Sequence, residues 1–274
     1  MKTYTNYAHR LAWGTDAGFY RLIPQEVLHP ATEHDVQQIL QRAHAEGKHI
    51  TFRAAGTSLS GQAISDSLLV VCGKKWEQSE VLEYGMKIRL QPGIIGQRVN
   101  DILRPYGRRF TPDPASIKSA MVGGIVNNNA SGMCCGTHAN SYRMLASVRI
   151  ILPDGTILDT GDETSRDSFR RTHPDFIKRI EQLRDRVQND GELKNLILKK
   201  YSIKNVTGLT ILPFAEYTDP FDIIAHLIPG SEGTLAFLSE VTMLTGEDYR
   251  HSATPPLPFC CFLLPTAPAV LSRR

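Results

Sequence analysis

A run of small residues that directly follows an apolar segment constrains the fold of this chain more than any other feature. Residues 53–63 read R-A-A-G-T-S-L-S-G-Q-A and come after the strand-like H-I-T-F of residues 49–52. The glycines at positions 56 and 61 permit positive φ and a close approach of the backbone to a ligand. Successive free N–H groups in such a turn form a concavity that binds anions. The sequence therefore predicts a strand that ends in an anion-binding loop, called the first loop below.

The pattern of the first loop differs from two common phosphate-binding motifs. No Gly-Lys-Ser/Thr ends it, so it is not a nucleotide P-loop, and it lacks the G-x-G-x-x-G of a Rossmann turn. A plain glycine-rich surface loop is the alternative interpretation, because short glycine motifs also occur without a ligand. Three further segments of the same character favour ligand binding.

These three segments are the second, third and fourth loops. In the second, T-P-D-P-A-S at residues 111–116, two prolines hold the chain extended. The third, V-G-G-I-V-N-N-N-A-S-G-M-C-C-G at residues 122–136, carries so many glycines and asparagines that we expect neither helix nor strand. The fourth, I-P-G-S-E-G-T-L at residues 228–235, leads into a predicted strand at 236–244. Four such loops fit a ligand longer than one phosphate group.

The motifs P-D-P-A-S, N-N-N-A-S-G and G-S-E-G-T-L, in this order, resemble the FAD-binding domain of the vanillyl-alcohol oxidase / p-cresol methylhydroxylase type. Within that type the chain looks most like the FAD-linked 2-hydroxyacid dehydrogenases: glycolate oxidase, D-lactate dehydrogenase and D-2-hydroxyglutarate dehydrogenase. The stretch N-A-S-G-M-C-C-G-T-H-A-N-S-Y-R is similar to a large bacterial subgroup in which a flavin half is fused to an iron–sulfur half. The resemblance covers residues 20–245.

The resemblance implies a cofactor site built from all four loops. The first loop would hold the FAD pyrophosphate through Arg53, Ala54, Ala55, Gly56, Thr57, Ser58, Gly61 and Gln62. The second would lie along the ribityl–isoalloxazine part through Pro112, Asp113, Pro114, Ala115 and Ser116. The third would surround the phosphates and the flavin edge through Gly123, Gly124, Asn127, Asn129, Ser131 and Gly132. The fourth would complete the site through Glu232, Gly233 and Thr234.

Two residues bear on the chemistry. Thr57 stands at about the position where family members with covalently linked flavin often carry a histidine, so the resemblance implies noncovalent FAD. His138 is the only histidine inside a predicted flavin loop. It is a candidate catalytic base. A packing or hydrogen-bonding role is the alternative, because its position alone is weak evidence that a histidine carries protons. The resemblance places most substrate-binding and proton-handling residues in a cap domain, so the catalytic residues stay open.

Composition limits the partners. A net charge of +3 in 274 residues, spread along the chain, does not indicate a nucleic-acid partner. The five cysteines show neither the C-x-x-C spacing of a zinc site nor a secreted disulfide framework, so we expect no metal, and Cys134 and Cys135 are interpreted as packing residues. There is no apolar signal core and no run of ~18 apolar residues, so no transmembrane segment is expected. We predict a cytoplasmic protein, and contact with the inner membrane face is left open.

The order of elements predicts an α+β fold with two subdomains, of the p-cresol methylhydroxylase type. A small β-α-β-β unit comprises strands at 21–28, 49–53 and 67–72 and a helix at 32–46. A larger mixed sheet flanked by helices would follow, with strands at 79–84 and 87–92, a helix at 95–106 and a hairpin at 147–159 around Pro153-Asp-Gly155. The charged stretch 162–201 predicts two helices that break near Asp190.

The expected domains are an N-terminal extension at 1–19, the FAD-binding domain at 20–245, and at 246–274 a linker with the first strand, 259–264, of a truncated cap domain. Three functions remain open. The first is the FAD half of a D-2-hydroxyacid dehydrogenase acting on D-lactate, D-2-hydroxyglutarate or glycolate, with an iron–sulfur module or quinone as acceptor. The second is a sugar or aldonolactone oxidase, or a flavin reductase of cell-wall precursors, on the same fold. The third is a noncatalytic scaffold.

Overall fold

The computed structural model describes residues 1–132, 134–205 and 208–249, whose two main sheets pack against each other. The smaller sheet has the order β1-β2-β4-β3. Strand β4 pairs in parallel with both β2 and β3, whereas β1 is antiparallel to β2. Its elements are β1 (Lys2–Tyr4), α1 (Tyr7–Ala12), β2 (Glu26–His29), α2 (Glu33–Glu46), β3 (Ile50–Arg53) and β4 (Leu68–Val71). This is the predicted β-α-β-β unit, extended by one N-terminal strand.

Helix α2 follows its local sequence signals closely. Thr32 caps it by accepting from the N–H of Asp35 at 3.2 Å, and the Asp35 carboxylate accepts from the N–H of Ala31 at 2.7 Å. Gly47 ends it in a left-handed conformation, φ 62°. The apolar positions recur at helical spacing and are buried: Val36, Ile39, Leu40 and Ala43. The predicted helix is thereby confirmed to within one residue.

The larger sheet has five strands in the order β5-β6-β10-β8-β9, all antiparallel. Its members are β5 (Ser79–Leu82), β6 (Lys87–Leu90), β8 (Leu145–Ile151), β9 (Ile157–Asp159) and β10 (Phe237–Leu244). A two-stranded ribbon joins β7 (Arg108–Arg109) to β11 (Gly246–Glu247). The α+β class is confirmed. Among the described residues, parallel strand pairs occur only in the smaller sheet. The larger sheet was expected to be mixed and is instead antiparallel throughout.

Helices cover one face of the larger sheet and enclose the main core. They are α3 (Gly96–Leu103), α4 (Val122–Asn127), α5 (Glu163–Thr172), α6 (Pro174–Asn189), α7 (Gly191–Lys200), α8 (Leu212–Glu216) and α9 (Pro220–Leu227). Sheet residues such as Ile88 and Val148 are no more than 1% exposed and belong to one cluster with Phe169 and Phe221 of the helices. Each such side chain contributes roughly 1.5–3 kcal/mol when buried.

The opposite face of the larger sheet packs on the smaller unit. Ile151 and Phe237 contact α2 through Val36 and Leu40, and the ring centroid of Phe237 lies 5.1 Å from that of Phe52 in β3. This seam fixes the carboxyl end of β3 beside the start of β10. The first and fourth loops therefore meet where the two sheets join.

Two element predictions are wrong. The third loop contains a helix, α4, because Val122, Ile125 and Val126 are buried in the core and this packing overrides the low helix propensity of glycine. Gly123 is also needed there, since a Cβ atom on it would lie 2.6 Å from the Pro92 Cβ. The stretch 162–201 forms three helices instead of two. Pro174 starts α6 as its first residue and so adds a break that the sequence reasoning missed.

The predicted domain limits stay predictions. Residues 2–4 nevertheless belong to the smaller sheet through β1, and residues 246–247, inside the predicted linker, pair with β7. The predicted strand at 259–264 lies outside the described residues. Over the described ranges, the helices lack the length and apolarity that a bilayer span requires.

Candidate functional site

All four predicted loops contribute to one cleft of about 380 Å³ at the junction of the two sheets. The floor of the cleft is apolar and is formed by Phe237 and Leu238 of β10 together with Phe52 of β3. The predicted site residues that line it are Arg53, Ala54, Ala55, Gly56, Thr57, Ser58, Gln62, Pro114, Ser116, Gly123, Gly124, Asn127, Glu232 and Gly233. Segments far apart in the sequence thus converge in space, which the sequence-based hypothesis requires.

The loops touch one another directly. The second and third loops are in contact at Gly132, where a built Cβ atom would lie 1.5 Å from the Asp113 carbonyl oxygen. The third and fourth loops are joined by a hydrogen bond from the Glu232 N–H to the Asn127 carbonyl at 2.9 Å. A Cβ atom on Gly124 would lie 3.4 Å from the Ala54 Cβ, which places the third loop against the first. The cleft is therefore a single interlocked structure.

The first loop presents free backbone donors. In the part of the chain that the structure describes, the N–H groups of residues 56–59 donate to no protein acceptor. Gly56 has φ +72°, which only glycine adopts without strain. Four consecutive unpaired N–H groups at a cleft are the arrangement that binds phosphate oxygens. The loop therefore fits the pyrophosphate of a dinucleotide.

Arg53 lies behind this loop. Its guanidinium donates from Nη1 to the carbonyls of Thr15 at 2.7 Å, Ala63 at 3.2 Å and Trp13 at 3.3 Å. The residue is 8% exposed, and burial lowers its pKa although the Asp16 carboxylate opposes the shift. Arginine remains charged even so. The side chain thus braces the loop from within while its charge lies under the free N–H groups.

The fourth loop places a carboxyl group at the cleft. Glu232 has φ +53°, an uncommon conformation for a residue with a side chain. Its Oε1 accepts from Asn128 Nδ2 at 2.6 Å. Burial raises the pKa of Glu232, and the hydrogen bond from Asn128 acts in the opposite direction. Ser231 donates from Oγ to Asn127 Oδ1 at 3.1 Å, which fixes this loop to the end of α4.

Eight predicted residues do not line the cleft: Gly61, Pro112, Asp113, Ala115, Asn129, Ser131, Gly132 and Thr234. Several of them shape the loops instead. Asn129 accepts from the Tyr142 N–H through Oδ1, and the Ser131 carbonyl accepts from Lys204 Nζ. Pro112 is buried, whereas Thr234 is exposed. Their assignment to FAD stays a prediction.

His138 is exposed and lies outside the cleft lining. Cys135 is buried and Cys134 is exposed, both as free thiols, so the packing interpretation fits Cys135 alone. No group of three or more metal-ligating side chains occurs among the described residues. Among the residues of the cleft lining, the ionisable ones are Arg53, Cys72 and Glu232.

Sequence reasoning missed a second set of lining residues: Phe52, Leu59, Ser60, Ala63, Cys72, Pro92, Ala120, Met121, Ile125, Asn128, Ala130, Ala236, Phe237 and Leu238. Six of them lie inside a predicted loop but were not assigned to the site: Leu59, Ser60, Ala63, Ile125, Asn128 and Ala130. Five others flank a predicted loop by one or two positions, so extending each loop would have found them: Phe52, Ala120, Met121, Ala236 and Phe237. Cys72 and Pro92 carry no such signal, because tertiary packing alone brings them to the cleft. Burial raises the pKa of the Cys72 thiol to about 12, so this group is neutral.

Comparison with known proteins agrees with this geometry. The family described as "FAD binding domain" matches residues 24–161, half of the chain. The chain is 30% identical to D-2-hydroxyglutarate dehydrogenase of Haemophilus influenzae, over 90% of the chain and 25% of that protein. It is 27% identical to the glycolate oxidase subunit GlcD of Bacillus subtilis, over 90% of the chain and 53% of that subunit. It thus spans between a quarter and about half of these relatives.

The fold is shared with solved oxidases and synthases. The structure of 6-hydroxy-D-nicotine oxidase from Arthrobacter nicotinovorans matches with a TM-score of 0.57 at 12% identity, over 90% of this chain and 42% of that one. An alkyldihydroxyacetonephosphate synthase matches with a TM-score of 0.56 at 17% identity, over 89% of this chain and 38% of that one. The family match, supported by the cleft and its free donors, shows that this chain belongs to the FAD-binding domain family and is a flavoprotein domain that uses FAD.

Proposed function

We propose that this chain is the FAD-binding part of a flavin-dependent dehydrogenase that oxidises a D-2-hydroxyacid to the 2-oxoacid. The observation that carries the proposal is the convergence of four loops on one cleft with free N–H groups at residues 56–59. The substrate class comes from the relatives, which include D-2-hydroxyglutarate dehydrogenase, a glycolate oxidase subunit and D-lactate dehydrogenase. Fold likeness alone would not select it, because oxidases of other substrates share the fold.

Different residues at the cleft would hold different parts of the cofactor. Free N–H groups of the first loop would bind the pyrophosphate, and the apolar floor at Phe237 and Leu238 would pack against flat apolar parts of the ligand. Bound FAD supplies the hydride acceptor for oxidation of a CH–OH group, while the protein orients it and excludes water. Glu232 is the one carboxyl group in the cleft lining.

The electron acceptor and the location belong to the proposal. An iron–sulfur module or a quinone is the acceptor that the resemblance to the fused bacterial subgroup implies. Relatives named as a glycolate oxidase subunit favour a multi-subunit or multi-domain enzyme. A cytoplasmic location, with contact to the inner membrane face left open, stays a prediction.

The test uses two proteins. The chain itself should take up one FAD per molecule, measured by equilibrium dialysis and flavin absorbance. The full-length protein should be mixed anaerobically with D-lactate, D-2-hydroxyglutarate or glycolate, with the L-acids as controls. Bleaching of the flavin by one D-acid or by glycolate supports the proposal. Bleaching by none of them while a sugar or aldonolactone reduces the flavin would reassign the substrate class.

The mode of attachment is tested separately. Because Thr57 cannot form the bond that a histidine would, we expect acid precipitation to release all flavin into the supernatant. Yellow colour retained in the washed pellet would show a covalent link. The free thiol of Cys72 at the cleft would then be the first residue to examine, with Cys72→Ala as the variant.

A further inference from the structure

We propose that residues 13–18 are part of the cofactor site, as a brace that holds the first loop in its anion-binding conformation, with Arg53 as the positioning residue that joins the two. These residues precede the region matched by the FAD-binding family, residues 24–161. They also lie outside the cleft lining. The inference rests on the proposed function, because it takes the ligand of the first loop to be the FAD pyrophosphate.

One buried cation joins residues 13–18 to the first loop through hydrogen bonds. A single nitrogen of Arg53, Nη1, donates to the carbonyls of Trp13 and Thr15 on one side and of Ala63 on the other. The Trp13 ring also covers the guanidinium, with its centroid 5.1 Å from the Cζ atom. Both ends of the first loop are therefore tied to the N-terminal segment through this one side chain.

Residues 13–18 also contact the backbone of the first loop directly. The Ala17 N–H donates to the Gly56 carbonyl at 3.0 Å. Asp16 accepts from the Ser58 Oγ through one carboxylate oxygen, at 3.2 Å, and from the Gly18 N–H through the other, at 2.8 Å. A Cβ atom on Gly18 would lie 2.4 Å from the Leu59 carbonyl oxygen. The segment thus contacts Gly56, Ser58 and Leu59, three of the four consecutive residues at 56–59 whose N–H groups have no protein acceptor.

These contacts also orient peptide groups of the first loop. The carbonyl of Gly56 is used by Ala17, and that of Leu59 lies against Gly18. The C=O and N–H of one trans peptide group point in opposite directions, so holding the Gly56 carbonyl on the side of residues 13–18 directs the Thr57 N–H away from that segment. The Arg53 guanidinium lies against Gly56, 2.4 Å from the position of a built Cβ atom, so its charge lies just behind the donors. This arrangement specifically favours an anionic group at the first loop.

The consequence is a selective effect on phosphate-bearing flavin. If residues 13–18 position the donors, a change that loosens this segment should weaken the binding of FAD. The binding of riboflavin, which has no phosphate, should be nearly unaffected. A segment with a merely structural role would change both affinities in parallel, or neither.

The experiment compares Gly18→Ala with wild type and with Gly191→Ala, a control at the start of α7 and outside the cleft lining, where a Cβ atom would meet no other atom within 4 Å. Dissociation constants for FAD and riboflavin are measured by equilibrium dialysis. Gly18→Ala should raise the dissociation constant for FAD about tenfold, equivalent to roughly 1.4 kcal/mol, and that for riboflavin less than about threefold. Gly191→Ala should retain the wild-type ratio of the two constants. An equal loss for both ligands, or an unchanged FAD constant, would overturn the inference.

A second measurement needs no variant. Hydrogen exchange of the wild-type chain is followed by mass spectrometry with and without saturating FAD. When FAD is bound, peptides covering residues 13–18 should exchange their amide hydrogens more slowly, although these residues lie outside the cleft lining. The exchange rate of peptides from α6 should not change. Protection of the first loop without protection of residues 13–18 would refute the brace and leave the FAD site intact. Failure of wild type to bind FAD would refute the proposed function itself.

Discussion

The glycines of this chain differ in what surrounds them, and the difference decides which can be replaced. A Cβ atom on Gly132 would meet a backbone carbonyl, that of Asp113, at 1.5 Å. A Cβ atom on Gly96 would meet the far end of the Ile117 side chain at 2.5 Å. Backbone held by neighbouring loops cannot move aside, whereas a terminal methyl group can rotate away. The two sites therefore form a matched pair.

Gly132→Ala should destabilise the fold by about 1–3 kcal/mol, the usual range for overpacking, and should also weaken FAD because the second and third loops are forced apart. Gly96→Ala should change stability by less than about 1 kcal/mol, since alanine also has the higher helix propensity. Urea unfolding monitored by far-UV circular dichroism measures both. Equal effects at the two positions would contradict this account of the loop contact.

Glu232 should make stability fall as pH rises. Burial raises the pKa of this carboxyl group in the folded chain above its ordinary value of 4.5. The protonated form is thus favoured by folding, and the stability it contributes is lost as pH rises through the raised pKa. Glu232→Gln removes this dependence while its amide oxygen can still accept from Asn128.

We therefore expect Glu232→Gln to match wild type near pH 4 and to become progressively more stable than wild type towards pH 7. The exposed Glu247, replaced by glutamine, is the control and should show no such divergence. A stability difference between Glu232→Gln and wild type that stays constant over this pH range would show that Glu232 does not titrate as proposed. Unfolding midpoints in a series of buffers at fixed ionic strength provide the measurement.

Most residues of the first loop that line the cleft could be predicted because they share one local property. Small size, hydroxyls and glycine are visible in the sequence itself. Asn128 could not be separated from its neighbours in this way. Its side chain binds Glu232, 104 positions away, and nothing in N-N-N shows which asparagine does so. Arg53 was predicted to hold the pyrophosphate as one residue of the first loop, whereas the three carbonyl acceptors of its guanidinium depend on tertiary structure.

Among the elements, helix α2 shows how far local signals reach. Its cap, its apolar face and its terminal glycine are all encoded within 16 residues, Thr32 to Gly47, and its limits were predicted to within one residue. Helix α4 is the opposite case. Its six residues include two glycines, and it forms because the larger core buries Val122 and Val126. Local sequence signals predict a helix such as α2, whereas they fail for a helix such as α4, which depends on packing in the core.

Thr32→Ala should cost about 1 kcal/mol of stability, because the N–H of Asp35 loses its acceptor at the start of α2. Thr32→Ser retains the hydroxyl and should restore most of the loss. Chemical denaturation of the three proteins gives the comparison. A serine variant as unstable as the alanine variant would mean that the methyl group, and not the cap, stabilises this turn.

At the scale of the whole molecule, the two sheets are joined by an ion pair as well as by the apolar seam. Arg149 of β8 donates from Nε and Nη2 to the two carboxylate oxygens of Glu33 at 2.8 and 2.9 Å. Ser239 of β10 donates to Glu33 Oε1 at 2.7 Å. Burial opposes ionisation of Glu33, but these bonds prevail and its pKa is lowered. The start of α2 is thereby fixed to the larger sheet.

Glu33→Gln should destabilise the chain most near neutral pH. The pKa of Glu33 is lower in the folded chain than its ordinary value of 4.5. The stability that the ionised carboxylate contributes is therefore fully present above that value and is lost as pH falls through the lowered pKa. The difference from wild type should therefore shrink in acid, the opposite of the trend for Glu232→Gln. Unfolding at pH 4 and pH 7 distinguishes them, and a larger difference at pH 4 would contradict the ion-pair argument.

The division into two sheets was predictable because each has its own run of strand and turn signals. The way they pack was not, since the contact of Phe237 with Phe52 and α2 joins residues about 190 positions apart by tertiary packing alone. The order of the strands also follows from long-range pairing. Strand β10, late in the chain, enters the centre of the larger sheet between β6 and β8.

The chain has two tryptophans, and both stand next to the cleft. Trp13 covers the Arg53 guanidinium, and the ring centroid of Trp76 lies 5.1 Å from that of Phe237 on the cleft floor. Indole emission overlaps the absorption of an isoalloxazine ring, so a flavin seated here would accept excitation energy from both. The intrinsic fluorescence of the unlabelled protein therefore reports occupancy, and loading can be followed in real time.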